Sequence, residues 1–345
     1  MTLVLPHADL HTRTAHLAAL PPDERRRRAT EAARDKDAGT LWLLAEAYLT
    51  LHGEAGALLS AHTRRSYRTG VRLFVAHAGA GAWNLLRPER DLAQTWVNEL
   101  LLRQGRSIGT VRSRVAAAAL LYRALRWAGA TQATPFEDVV LPRDRRHPLE
   151  KNPPYSEAVL ERVYARLRAG TEAAPPRTRT RWLQTRLLVL LLAHSGLRIQ
   201  EALDLTWADV DLTELDLTVR SGKGRRSRLV PLTPPLAHAL RAARLLPRRR
   251  THRGDRVFSF RDRASAAYHV APLFAQEDGD GGTDWRGFHA FRKAMGSRLY
   301  EELGDFVAVA EVLGHADVNT TRGYVRVGHR RAKRAMGTWG GSGEG

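Results

Sequence analysis

Cysteine is absent from this 345-residue chain, which excludes disulfides and cysteine-built zinc modules and suits a reducing cytosol. Lysine is scarce: Lys36, Lys151, Lys223, Lys293 and Lys333 are the only five among 55 basic residues. Acidic residues are few as well, 36 in all, so the formal net charge is +19. An excess of that size marks a polyanion as partner, although a preference for arginine over lysine also arises from GC-rich coding. Long apolar runs are missing too. The most apolar stretch, Leu187 to Ala193, is far too short to cross a bilayer and reads as a buried helix. The opening residues MTLVLPHADLH lack the basic segment and sustained apolar run of an export signal. The expectation is therefore a cytoplasmic bacterial protein associated with the nucleoid, without a membrane partner.

A chain of this length exceeds one usual domain, and its patterning divides it. Residues 1–40 read as a peripheral N-terminal extension with a short helix, and the run Arg25 to Arg28 as a solvated stretch of charge. Residues 41–140 read as an all-helical domain, with helices near 41–52, 61–78, 88–104 and 107–128. The second and fourth of these open with polar clusters, His62 to Tyr67 and Ser107 to Arg114, each joining an N-cap candidate to arginines in the first turns. Free N–H groups at a helix start beside Thr63, Arg64 and Arg65, or beside Arg112 and Arg114, make a seat for phosphate. Ordinary capping with solvated arginines is the alternative. Residues 141–156 contain four prolines and several charges and read as a linker. Residues 157–336 form the second domain, opening with a helix near 156–168 and a polar loop, TEAAPPRTRT. Residues 337–345 read as a disordered glycine-rich tail.

Four short segments of the second domain carry candidate chemistry. Arg198 follows the Ser195-Gly196 turn, with Glu201 one helical turn further on, so a carboxylate can hold the guanidinium in place for bidentate phosphate recognition. An ordinary surface ion pair gives the same spacing. The alternation Leu215, Leu217, Val219, then Gly222-Lys223-Gly224, then Leu229 to Leu232, reads as a β-hairpin with Lys223 at its tip. In a chain that writes arginine for nearly every cation, a lysine there suggests a role that needs a releasable proton. His289 and Arg292, spaced i,i+3, face one way on a helix while Phe291 enters the core. Phe306 to Leu313 reads as a short helix stopped by Gly314; His315 follows, and Tyr324 stands nine residues later on a helix capped by Asp317 or Asn319.

Taken in order, Arg198, Lys223, His289, Arg292, His315 and Tyr324 form a series that resembles the tyrosine recombinase (phage integrase) family, including its Xer-like site-specific recombinases, from about Leu41 to Met336. The resemblance implies a mainly α protein with a small β-sheet: a two-domain C-shaped clamp of a helical, SAM-like core-binding domain and an α+β catalytic domain. It implies that Tyr324 attacks a DNA phosphorus and forms a 3′-phosphotyrosyl bond, that Arg198 and Arg292 grip the phosphate, and that His315 adds a hydrogen bond. Lys223 then protonates the leaving 5′-oxygen, His289 assists proton transfer, and Glu201 supports the site. No cofactor, metal or ATP enters this scheme. The partners implied are double-stranded DNA contacted through Thr63, Arg64, Arg65, Arg112 and Arg114, and further copies of the chain, forming a homotetramer on two duplexes through a basic segment after Tyr324. Lys293 stands where many relatives carry histidine, a departure expected to be without effect. Two alternatives stay open: nicking and religation of the type IB topoisomerase kind, and a DNA-binding protein with a dead site.

Overall fold

Capping side chains set where the first helices begin. Asp9 accepts from the Thr12 N–H at 2.9 Å and opens α1 (Leu10–Ala19), and α2 (Pro22–Arg34) starts on a proline. Asp37 accepts from Gly39 and Thr40 and opens α3 (Ala38–His52). Ser60 and Ser107 cap α4 (Ala61–Ala80) and α6 (Ile108–Trp127) through the N–H groups of Thr63 and Thr110, with α5 (Leu92–Asn98) between them. Segment 88–104, expected as one helix, is α5 followed by a π-helical turn, Glu99–Arg103. These six helices belong to one of two compact units, Met1–Arg145 and Arg146–Gly345, in this computed structural model. The structure describes residues 9–143, 148–220, 227–245, 255–276 and 281–315.

The apolar stripes of α3, α4, α5 and α6 meet in a core that includes Leu41, Phe74, Trp96, Leu121 and Tyr122. At Gly70, α4 lies against α6 so closely that a Cβ would sit 2.4 Å from the Cβ of Ala117. Residues 9–40 hold two helices that pack on the rest of the unit. Ala29, Ala32 and Ala33 of α2 enter this core, and Leu17 of α1 packs with Ala47 of α3. Their i, i+3, i+4 spacing is helical, and the arginines around them obscured it. The Arg25 to Arg28 run forms a salt-bridged face: Arg27 pairs with Glu24 and Glu31, Arg28 with Glu24, and the Arg25 guanidinium lies 4.4 Å from the centre of the Trp127 ring.

The second unit contains α7 (Pro148–Lys151), α8 (Glu157–Ala173), α9 (Pro176–Ser195) and α10 (Ile199–Asp204) ahead of a small sheet. Its strands β1 (Val210–Asp211), β2 (Asp216–Val219) and β3 (Arg228–Pro231) are antiparallel in the order β1-β2-β3, with Leu217 opposite Val230 and Val219 opposite Arg228. The two-residue β1 is too short to leave a period-two signal. Helices α11 (Pro234–Arg244), α12 (Arg263–Val270), α13 (His289–Leu303) and α14 (Phe306–Leu313) follow. Helix α9 is the spine of this core, burying Leu187, Leu188, Val189, Leu191 and Leu192. It begins inside the stretch TEAAPPRTRT expected as a loop, with Pro176 at the first helical position, where a missing N–H costs nothing.

The segment expected as linker is partly structural. The buried Tyr155 hydroxyl donates to the Gly287 carbonyl at 3.2 Å and accepts from the Arg286 N–H at 2.9 Å. Lys293, also buried, donates to the Asn152 carbonyl at 2.6 Å. Residues 152–155 are therefore stitched to the start of α13, and the lysine expected to be without effect has a fixed place. No helix among the described residues is long and apolar enough to cross a membrane.

Candidate active site

Helix ends build the site. Gly196 closes α9 in the left-handed region at φ 63°, and the chain turns back at once into α10. Arg198 is the residue before α10. Its backbone N–H donates to Glu201 at 2.9 Å, and its guanidinium donates to the other oxygen of the same carboxylate at 2.8 Å. The Arg198 side chain stays 48% exposed while that of Glu201 is 12% exposed, so the arginine is held from behind and open in front. The i,i+3 pair expected from sequence is formed, and Glu201 also does more than that pair requires. Its two oxygens accept a fork from Arg228 on β3, at 3.3 and 2.9 Å. Burial alone would raise the Glu201 pKa, but the hydrogen bonds from Arg228 and Arg198 outweigh it and bring it down to about 2.

Arg292, on α13, is 1% exposed. Its guanidinium donates to the Gly196 carbonyl at 2.8 Å and to the Leu313 carbonyl. Both acceptors are terminal carbonyls of helices, where the backbone dipole favours a cation. Arg292 thus ties the end of α9, two residues before Arg198, to the end of α14, two residues before His315. His315 follows Gly314, its N–H donating to Ala310 at 2.9 Å, and His289 opens α13 one turn before Arg292. Desolvation lowers the pKa of each imidazole to about 4, helped by the charges of Arg292 and Arg198; Lys293 adds to the effect at His289, and His289 and Arg228 at His315. Near neutral pH both rings are uncharged. Arg198, Glu201, His289, Arg292 and His315 therefore share one neighbourhood, with a single carboxylate among several cations.

Lys223 and Tyr324 lie outside the described residues, as do the expected caps Asp317 and Asn319. Sequence reasoning passed over Arg228. Its signal was available: in the β3 alternation Arg228 shares the inward register with Val230, while Leu229 points out. Among the described residues no group of three or more His, Cys, Asp or Glu could hold a metal ion.

In the first unit, Thr63, Arg64 and Arg65 lie in the first turn or so of α4, and Arg112 and Arg114 near the start of α6. Arg65 and Arg112 are exposed; Thr63, Arg64 and Arg114 are half-buried. Each helix start carries the same device, a serine and a threonine three residues apart with their hydroxyls 2.8 and 2.9 Å from one another. Capping and exposed arginines coexist at both places.

A cationic seat with a gripped arginine, a buried arginine and two imidazoles with lowered pKa values suits an anionic group such as a phosphodiester. Comparison with known proteins narrows the class. Residues 161–331 match the phage integrase family, and residues 51–129 match the phage integrase N-terminal SAM-like domain. Tyrosine recombinase XerC of Alcanivorax borkumensis is 27% identical over 300 residues, covering 85% of this chain and 92% of that one. Tyrosine recombinase XerA of Thermococcus kodakarensis is 34% identical over 170 residues, which span 47% of this chain and 56% of that protein. In fold, the Tn1549 transposon integrase solved in complex with a circular intermediate DNA superposes with a TM-score of 0.63 at 14% identity, over 86% of this chain and 99% of that one. The chain belongs to the phage integrase family of tyrosine site-specific recombinases.

Proposed function

We propose that this chain cuts and rejoins DNA through Tyr324, at a site in which each residue of the series takes the role its surroundings suit. The observation that carries this reading is the gathering of Arg198, His289, Arg292 and His315 around helix ends, where burial first, and the neighbouring positive charges second, favour neutral imidazoles. A phosphodiester brings the one negative charge that such a field lacks. Arg198, half open and held by Glu201, grips a non-bridging oxygen, and Arg292 supplies the fixed charge behind it. His315, neutral, donates a hydrogen bond to the phosphate. His289, neutral, accepts the proton of Tyr324 as its oxygen attacks phosphorus.

Attack forms the 3′-phosphotyrosyl bond and breaks the bond to the 5′-oxygen, which takes a proton from Lys223. A 5′-hydroxyl from another strand then attacks the phosphotyrosyl phosphorus, and the tyrosine leaves with its proton restored. The bond energy is kept throughout, so the cycle balances without ATP. Exchange between two duplexes breaks four strands, one tyrosine for each, which calls for four copies of the chain. Thr63, Arg64, Arg65, Arg112 and Arg114 are the phosphate contacts of the first unit, and the place of action is the bacterial nucleoid.

Trapping on a nicked duplex tests the reading. The parent protein is expected to form a covalent adduct that survives denaturation, and Tyr324→Phe none, with duplex binding retained. An adduct formed by Tyr324→Phe would place the nucleophile elsewhere.

A further inference from the structure

Arg228 lies at a junction that the family series does not name. Its guanidinium makes a two-pronged contact with Glu201 on α10, and its Nε donates to the Val312 carbonyl in the last turn of α14 at 3.0 Å. The side chain is only 12% exposed, as is that of Glu201. It also lies against the Gly314 backbone so tightly that a Cβ on Gly314 would be 2.8 Å from its Cδ and Nη1. Gly314 itself is left-handed at φ 67°, and His315 is the next residue. In the chain, Arg228 opens β3 five residues after Lys223. Just past the end of β2, the exposed Arg220 pairs with the buried Asp209 at 2.7 Å. An arginine–carboxylate pair thus stands at the end of β2 and another at the start of β3.

From this geometry we infer that Arg228 is a positioning residue for the cleavage step: it fixes the Glu201 carboxylate that aims Arg198, and it fixes the turn that presents His315. The inference rests on the proposed roles of Arg198 and His315. Free rotation of Glu201 would leave Arg198 tethered by one flexible contact, since an exposed pair alone is a weak restraint. With Arg228 in place, the carboxylate has all its strong acceptor directions occupied, by the Arg198 backbone N–H, the Arg198 guanidinium and the Arg228 fork. Such a carboxylate cannot swing toward the DNA phosphate, which it would repel. Lysine at this position keeps the charge and loses the planar fork and the Nε contact with Val312.

The test uses full-length Arg228→Lys on two duplexes, one with an ordinary scissile phosphate and one with a methylphosphonate, in which a methyl group replaces a non-bridging oxygen and removes the charge. With duplex affinity and melting temperature held, Arg228→Lys is expected to lose about a hundredfold in single-turnover cleavage of the ordinary duplex, the size of loss that a misplaced catalytic group produces. On the methylphosphonate the gap to the parent should close, because a neutral phosphate has little need of a well-aimed Arg198. Arg198→Ala calibrates the comparison. If its own deficit fails to shrink on the neutral substrate, the role given to Arg198 falls, whatever Arg228 does. If Arg198→Ala behaves as expected but Arg228→Lys cleaves normally, or loses equally on both substrates, the positioning role is overturned. Should Arg228→Lys fold poorly, Glu201→Gln takes its place, since it breaks the same link from the other side, and the same substrate comparison decides.

Discussion

At the scale of single residues, protonation is the sharpest handle. His289 and His315 have pKa values of about 4 in the fold against an ordinary 6.5. Between those two values the unfolded chain binds more protons than the folded one, so stability rises with pH through the window and is lost as pH falls from about 6.5 toward 4. Thermal melts across this range are expected to show that slope, and His289→Asn with His315→Asn to flatten it. A slope unchanged in the double variant would remove these rings as its source. A bound phosphodiester adds negative charge beside both rings and should raise their pKa values, which ring-proton NMR of the complex would detect. Lys223 invites a separate experiment. Lys223→Arg keeps the charge but not the easily released proton, so cleavage should collapse while binding survives. Sulfur in place of the 5′-bridging oxygen leaves without protonation, and a duplex so modified should rescue Lys223→Arg but not Tyr324→Phe. Failure of that selective rescue would reduce Lys223 to a phosphate contact.

What the chain's letters disclosed at this scale follows a physical divide. Arg198 with Glu201, and His289 with Arg292, are neighbours on a helix turn, and such proximity is written in the spacing. The fork from Arg228 to Glu201 crosses 27 residues, and the Lys293 contact with Asn152 crosses 141, so no local pattern announces them. The two differ in kind. Arg228 left a trace, a charge in the inward register of a strand, whereas Lys293 looked like any other residue of a basic helix.

At the scale of elements, the approach of α4 and α6 at Gly70 makes a prediction in which two effects compete. Gly70→Ala gains about 1 kcal/mol of helix propensity. Its new methyl, however, would lie 2.4 Å from the Ala117 Cβ, and overpacking of that kind costs about 1–3 kcal/mol. Crowding should win, and the melting temperature should fall; a rise would mean that the helices part freely. Helices α4 and α6 were legible because serine caps and helical apolar spacing agree, and α3 because its apolar residues are dense from Leu41 onward. Helix α2 was not, since its buried face, Ala29, Ala32 and Ala33, is alanine among a crowd of arginines. Alanine supplies little hydrophobic signal but allows close packing, so the contact is visible only in three dimensions. Strand β1 was missed for the opposite reason, being too brief to have a pattern at all.

At the scale of the whole molecule, charge is the dominant property. If arginines of both units neutralise phosphates, affinity for any duplex should fall steeply with salt, by about 0.9 in log affinity per log salt for each phosphate contacted. Arg65→Ala and Arg112→Ala should each reduce that slope by about one unit without altering preference among sequences. An unchanged slope would assign those arginines to solvent. Titration of fluorescent duplexes at several salt concentrations measures both quantities.

Arg292 connects two carbonyls that belong to residues 196 and 313. Until α9, α13 and α14 have all docked, its guanidinium has no place to rest, and the turns bearing Arg198 and His315 have nothing to hold them together. The seat for the cut is therefore assembled from residues more than a hundred positions apart, and exists only where α9, α13 and α14 are all in place. A copy in which one of these helices has come loose keeps its positive charge but loses the alignment of the Arg198 and His315 turns, so the cut is expected to fail before the charge-driven attraction to a polyanion does.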